Sequence, residues 1–297
     1  MDYVFISQLL LNGIVIGLIY GLIATGLSLQ FGILHIVNFA HGEFLMVAMY
    51  AMVLLLPLTG GSFLLAFASL ILLSSALGLL ASKGFFAAIS KGGDQIGIFE
   101  KSLLLTLGIS IILINGVQFI FTANPQMAST DIGYGAFTFS EVRVTHAHVM
   151  AGAIAILTFI VLYYFLMRTN AGRALRAVAQ NREAALMIGL DPMKIAGRAI
   201  IISIVLSAIA GAVLIPIIVF QPIVGQTLLL KAFAVVIIGG MGNITGAVVV
   251  ALGLGVLESV VGGYTELVWQ NAVAFIAMIA TLIVRPHGLF TNTIRKG

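Results

Sequence analysis

Nine apolar runs, each near the length of one helix across a bilayer, follow one another along the chain and constrain it more than any other feature. They lie at about 7–30, 36–56, 62–81, 102–122, 146–167, 198–220, 227–239, 245–261 and 268–284. A hydrocarbon core roughly 30 Å thick needs about 20 apolar residues per crossing, because a helix rises about 1.5 Å per residue. The runs are continuous rather than alternating, which excludes a β-barrel. Composition agrees: of 297 residues, 61% are hydrophobic and 8% charged, against about 25% charged in soluble domains. The fold class is therefore all-α, a polytopic transmembrane helical bundle with about 8–9 spans, some discontinuous. Residues 1–297 read as one membrane domain, with a charged loop at about 168–198.

Charge sets the expected orientation. Lys83, Lys91 and Lys101, then Arg168, Arg173, Arg176, Arg182, Lys194 and Arg198, then Arg285, Arg295 and Lys296 all fall in loops on one side of a nine-span chain. Only Arg143 and Lys231 fall elsewhere. By the positive-inside rule that side is cytoplasmic, with the C-terminus inside and the N-terminus periplasmic. The first run lacks a basic leader and a small-residue cleavage site, so it reads as a retained helix. The net charge of +4 is spread over short loops, a distribution that does not point to nucleic acid. The absence of cysteine excludes disulfides and thiolate chemistry.

The longest charged stretch carries its own helix punctuation. Good helix formers run over Ala171–Gln180, with Arg173 and Arg176 one turn apart. Asn181 is placed to cap a short helix over Arg182–Ile188, with Glu183 in the first turn where the dipole favours an anion. Gly189 suits the left-handed stop, and Asp191 with Pro192 restarts a helix as N-cap and first residue. The expected exposed face mixes Arg182, Glu183 and Ala184 with Leu186 and Met187. Such a face suits a groove on a partner protein or a place among lipid headgroups; the residues alone leave both open.

Two apolar runs are interrupted. Gly32–Glu43 (GILHIVNFAHGE) brings Asn38, His41, Gly42 and Glu43 to membrane depth, where ionisable groups are costly and face the bundle interior or water. They either brace a helix break or line a translocation path. His35, His41 and Glu43 are metal-ligand types, but their spacing spreads them over different helix faces and no second cluster completes a shell, so no metal is expected. The second interruption, at 225–246, holds Lys231 in its apolar part and Gly239, Gly240, Gly242 and Asn243 at its break. Those glycines either admit close helix packing or form an unwound turn near the path. Lys231 either snorkels to the interface or pairs with Glu258 or Glu266. The two breaks, Gly32–Tyr50 and Gly239–Gly255, echo one another in residue type, and a re-entrant 225–246 would lower the span count to eight.

The segment Glu183-Ala184-Ala185 followed by Gly189 resembles the loop that ABC import permeases dock into their ATPases. Asn12–Tyr50 with its N-F-A-H-G-E core, Gly172–Pro192, Lys231–Gly246 (KAFAVVIIGGMGNITG) and the ending Arg285-Pro286 with Gly288-Leu289 resemble, in order, the inner-membrane permeases of branched-chain amino acid (LIV-type) ABC transporters. The resemblance implies an importer of leucine, isoleucine and valine. It also implies a second homologous permease as heterodimer partner, two ABC ATPase subunits that bind ATP and Mg, a periplasmic substrate-binding protein, and a place in the bacterial inner membrane. Asn181–Asp191, including Leu190, would be the coupling helix, transmitting ATPase closure to the spans. The chain has no G-x-x-x-x-G-K-[ST] phosphate loop of its own, so ATP hydrolysis would belong to partners and this chain would be no enzyme.

Permeases of similar sequence carry urea or short amides, and Ala123–Arg143 matches no nameable motif, so the cargo stays open between these and branched-chain amino acids. An ion-coupled secondary transporter would need carboxylates in the spans, for which only Glu43, Glu258 and Glu266 qualify. A membrane enzyme would need a clustered acid–base or metal set, and none is evident.

Overall fold

A computed structural model describes residues 3–85, 95–128, 130–131, 135–139 and 142–290. Its helices are α1 (Tyr3–Leu34), α2 (His41–Leu58), α3 (Phe63–Leu80, extended by a π-helical turn at Ala81–Phe85), α4 (Gln95–Phe121), α5 (His146–Arg168), α6 (Asn170–Gln180), α7 (Arg182–Met187), α8 (Pro192–Leu214), α9 (Val224–Gly239), α10 (Ile244–Tyr264) and α11 (Leu267–Val284). Among the described residues, seven helices are long and apolar enough to cross a membrane, and two shorter apolar helices, Val224–Gly239 and Val268–Val284, complete the nine runs read from the sequence.

The bundle has two distinguishable ends. At one, the Arg143 amide donates to Gln8 Oε1, the Phe63 amide to Asp131 Oδ1, and Phe5 meets Tyr264 edge-on. A small antiparallel hairpin caps this end, β1 (Ala136–Phe139) against β2 (Val142–Thr145), with Phe137 opposite Val144 and Thr138 opposite Arg143. This hairpin is an addition to an all-helical expectation, and the aromatic and β-branched pairs of these strands are what favours it. At the other end, Gly32 approaches Gly242, Asn243 Nδ2 donates to the Phe290 carbonyl, and Ser82 meets Gly197. That end also carries the short helices α6 and α7.

α1 is the central post. Every residue from Ile19 to Gln30 is buried, because α5, α8, α9 and α10 surround it. Glycines set the closest crossing: a Cβ on Gly13 or Gly17 would fall within 3 Å of the backbone of α10 at Val256 or Ala251. Small residues permit this approach, and in lipid, where apolar burial gains nothing, dispersion at such crossings does much of the holding. α3 and α4 lie at the periphery with large apolar faces outward, including Leu72, Leu80, Leu104, Ile112 and Phe119. A lipid-solvated surface has that character.

α2 and α9 both begin inside the bundle. His41, the first residue of α2, reaches the carbonyl of Ile23, about eleven residues or roughly 16 Å short of the C-terminus of α1. Residues 35–40 therefore climb back into the bundle without helical structure. The segment 215–223 does the converse from the hairpin side, with Phe220 bridged to Gln126 by two backbone hydrogen bonds of 2.8 and 3.0 Å. The two half-buried helix starts meet where Gly42 and Gly225 press backbone to backbone, so closely that neither has room for a Cβ.

The observed pair of inner breaks is thus 35–40 with 215–223, and not the pair expected from residue types. Gly239–Asn243 is a tight turn at the α6–α7 end, with Gly240 and Gly242 at φ +96° and +84° and Met241 exposed. Gly239 packs against Gly246, and Gly240 lies against Gly288. Of the two roles read from the sequence, close packing is visible at Gly239 and Gly240, in a turn that stands at this end of the bundle. Nor is 225–246 re-entrant, since α9 runs from the inner break to the end where α10 starts.

Candidate functional site

The charged loop folds as its punctuation dictates. Thr169 caps α6 by accepting from the Gly172 amide, and Asn181 Oδ1 accepts from the Ala184 amide at 2.9 Å to start α7. Gly189 at φ +80° ends it, and the Leu190 amide reaches back to the Ala185 carbonyl, the closure that a left-handed glycine allows. Asp191 Oδ1 then accepts from Met193 and Lys194 amides at 3.0 and 3.4 Å, and Pro192 opens α8. Desolvation works to raise the Asp191 carboxyl, but those two amides and the Lys194 ammonium together outweigh it and hold the group below its ordinary value of 3.8.

These caps fix α7 as a projecting knob. Ala185 is buried and Ala184 half-buried against the rest of the loop, so the small residues form its base. Its outer face carries Arg182 and Glu183 beside Leu186, Met187 and Ile188, the last three 55, 84 and 73% exposed. Ile188 extends the apolar patch beyond the residues singled out from the sequence. Arg173 and Arg176 stand nearby on α6, Arg173 donating to Asn170 Oδ1. Lys83, Lys101, Arg168, Arg173, Arg176, Arg182, Lys194, Arg198 and Arg285 belong to this same end of the bundle, and Arg143 to the hairpin end; Lys91, Arg295 and Lys296 lie outside the described residues.

The inner break at 35–41 is held by side chains. Asn38 Nδ2 donates to Gln30 Oε1 on α1, while its Oδ1 accepts from the Ala40 amide, both at 3.0 Å. His41 is wholly buried. Its Nε2 stands 3.0 Å from the Ile23 carbonyl and must carry the proton there, leaving Nδ1 to accept from the Ser207 hydroxyl at 3.3 Å, with Ser203 Oγ at the same distance. Ser203 also donates to the Gly26 carbonyl at 2.8 Å. One imidazole therefore ties the start of α2 to both α1 and α8. Glu43 accepts from Ser110 on α4 at 3.0 Å, and its second oxygen lies buried against Gly225 with no partner among the described residues. His35 does not join this group: it is exposed, at φ +52°, beside the Phe31 ring.

Lys231 is not at an interface. Its Nζ is 2.7 Å from Glu258 Oε2 and 3.0 Å from the Tyr20 hydroxyl, which donates to the same oxygen at 2.9 Å. The pair links α9 to α10 with α1 between them. Glu258, not Glu266, is the partner, and only depth tells them apart: Glu258 is buried, while Glu266 is exposed at the α11 start. Asn243 caps α10 by accepting from Gly246.

Long apolar helices, with inner breaks stitched by buried polar groups, mark a multi-pass membrane protein. The chain belongs to the family described as branched-chain amino acid transport system / permease component, whose model matches residues 9–282. It is 29% identical over 295 residues to the high-affinity branched-chain amino acid transport system permease protein BraD of Pseudomonas aeruginosa, covering 95% of this chain and 94% of that one. To the corresponding permease LivH of Escherichia coli it is 27% identical, with 97 and 96% covered. A probable LivH of Methanocaldococcus jannaschii is also 27% identical, with 90 and 87% covered.

Proposed function

We propose that this chain is the permease subunit of an ATP-driven importer of branched-chain amino acids in the bacterial inner membrane, acting as one domain with a second homologous permease. Two ABC ATPase subunits bind ATP and Mg beneath the pair, and a periplasmic binding protein delivers the cargo. The reading is carried by α7. A capped helix of six residues offers exposed Leu186, Met187 and Ile188 at its tip, a patch that gains by entering a groove on another protein. Arg182 and Glu183 beside it supply charge pairing at the rim.

The excess of Lys and Arg around α7 supports a cytoplasmic position for that end, which leaves the hairpin and the N-terminus periplasmic. There α7 is the coupling element, with Asn181, Gly189 and Asp191 setting its rigidity and Ala184, Ala185 and Leu190 seating it. We assign Asn38, His41, Gly42 and Glu43 to bracing the helix break, because Asn38 joins Gln30 on α1 to the Ala40 amide, His41 joins α1 to α8, Glu43 accepts from Ser110 on α4 and Gly42 is a backbone crossing. Gly239, Gly240 and Asn243 shape the turn before α10. Lys231 locks α9 to α10.

Co-purification with the ATPase subunits tests the proposal. Glu183→Lys and Met187→Asp are expected to abolish association or uncouple ATP hydrolysis from uptake, while the membrane-inserted chain keeps its thermal midpoint. Retention of both association and coupled hydrolysis in the double variant would overturn the assignment.

A further inference from the structure

Between α5 and α8, on the outside of the bundle, runs an apolar groove of about 240 Å3 that plays no part in the coupling argument. Leu162, Leu206 and Ile209 are buried and form its floor, while Val161, Phe165, Ile202 and Val205 rise as its walls and stay partly or wholly open. The polar side chain in the lining, Thr158, gives its hydroxyl proton to the Ile154 carbonyl. The groove therefore offers hydrocarbon contact, which in lipid holds any acyl chain without choosing among lipids.

What distinguishes this groove is how it ends. Residues three or four apart share a helix face. Arg168 follows Phe165 by three residues on α5, and Arg198 precedes Ile201 and Ile202 by three and four on α8. Each wall is thus continued at the basic end by one arginine, both exposed and neither paired with a carboxylate among the described residues. Tyr163 and Tyr164, also exposed, stand on α5 one turn before Arg168, and amphipathic rings of this kind favour the headgroup level. From Arg198 to Ile209 the helix rises about 16 Å, close to one leaflet's share of a hydrocarbon core roughly 30 Å thick. Cations at headgroup level above an apolar seat one leaflet deep match the two ends of a phospholipid, and guanidinium forks without a protein anion suit a phosphate. A helix of a second copy fits worse: oriented alike in the membrane, it would bring its own basic end beside Arg168 and Arg198.

We propose that this groove seats one anionic phospholipid of the cytoplasmic leaflet, its phosphate held by Arg168 and Arg198 and one acyl chain lying between α5 and α8. The walls are the two helices that α6 and α7 connect, so the lipid braces the arms from which the knob projects. The choice of leaflet rests on the orientation proposed above; the binding does not.

Native mass spectrometry of the full chain in detergent tests this with three probes: dioleoylphosphatidylglycerol, dioleoylphosphatidylcholine and glycerol 3-phosphate. One saturable site is expected for the phosphatidylglycerol, about tenfold tighter than for the phosphatidylcholine with the same chains, and no saturable binding of glycerol 3-phosphate, which has no chain to seat. Arg168→Gln combined with Arg198→Gln should bring the two lipids within about twofold of each other while the thermal midpoint in lipid-free detergent is preserved. Arg285→Gln, at the end of α11, should leave the preference intact. Val205→Trp, which fills the groove and spares both arginines, should weaken phosphatidylglycerol at least about tenfold; if that variant fails to fold, the arginine pair decides alone. Equal binding of the two lipids, glycerol 3-phosphate binding as tight as the phosphatidylglycerol, or an unchanged preference in the folded arginine variant would overturn the proposal. So would dimerisation of the chain that Val205→Trp abolishes, which would give the groove to a second copy. No ATPase takes part, so this result and the coupling test can fail independently.

Discussion

The break at 35–41 and the loop at 181–191 both interrupt helices, yet the loop is capped locally while the break, apart from the Asn38 bond to the Ala40 amide, is held by neighbouring helices. At 181–191 every cap is local: Asn181 serves Ala184, Asp191 serves Met193 and Lys194, and Gly189 needs only its own backbone freedom. At 35–41, Asn38 reaches Gln30 on α1, and His41 reaches Ile23 on α1 and Ser203 and Ser207 on α8. Water can replace a lost local cap. Nothing replaces a lost partner at membrane depth, where an unsatisfied backbone group costs several kcal/mol. Rigidity in the exposed loop is cheap to perturb; rigidity that holds the bundle sits inside and is not.

Several substitutions test how sharp this contrast is. The largest effect is expected from Gly42→Leu, which drives a side chain into the Gly225 backbone; overpacking of this kind costs about 3 kcal/mol or more. Loss of the monodisperse peak in detergent chromatography is the readout, and a normal peak would show that the crossing can open. His41→Ala comes next, at about 2–4 kcal/mol from the cavity and the orphaned Ile23 and Ser207 partners. It should lower the thermal midpoint, with partial recovery in His41→Gln. Asn181→Ala should cost only about 1 kcal/mol, visible as faster amide exchange confined to α7. If the midpoint of the whole bundle fell as far as in His41→Ala, the contrast would be lost.

The smallest effect concerns acid. The native Asp191 carboxyl is held below 3.8, so its cap is fully present above the unfolded value and fades only as pH falls through the lower native one. Protection against exchange at Met193 and Lys194, relative to the intrinsic rate at each pH, should therefore be flat from pH 7 to 5, with loss only below about pH 4. Loss that begins nearer pH 5 would mean that the native carboxyl is not held below its ordinary value.

What the sequence revealed follows the same division. The nine apolar runs and the grammar of 169–192 are local properties, and helix limits there shift by only a residue or two. The identity of partners across the bundle was hidden. Lys231 had two candidate carboxylates at similar sequence distances, and nothing short of three-dimensional depth selects Glu258. The pairing of Gly42 with Gly225 was equally out of reach, since 215–223 reads as ordinary apolar sequence with Pro216 and Pro222, whereas the more conspicuous glycines at 239–242 turn the chain at the end of the bundle. The hairpin was overlooked because its strands are only four residues each. Glu43 was recognised as costly, but its contact with Ser110 crosses from α2 to α4, beyond any periodic signal.

At the place where Gly42 touches Gly225, the protein is thin in a particular sense: no side chain separates two backbones that depart toward opposite faces of the membrane. A rocking motion about that pivot would widen the space beside one departing helix while narrowing the space beside the other. Two gates built on these arms could then hardly stand open together.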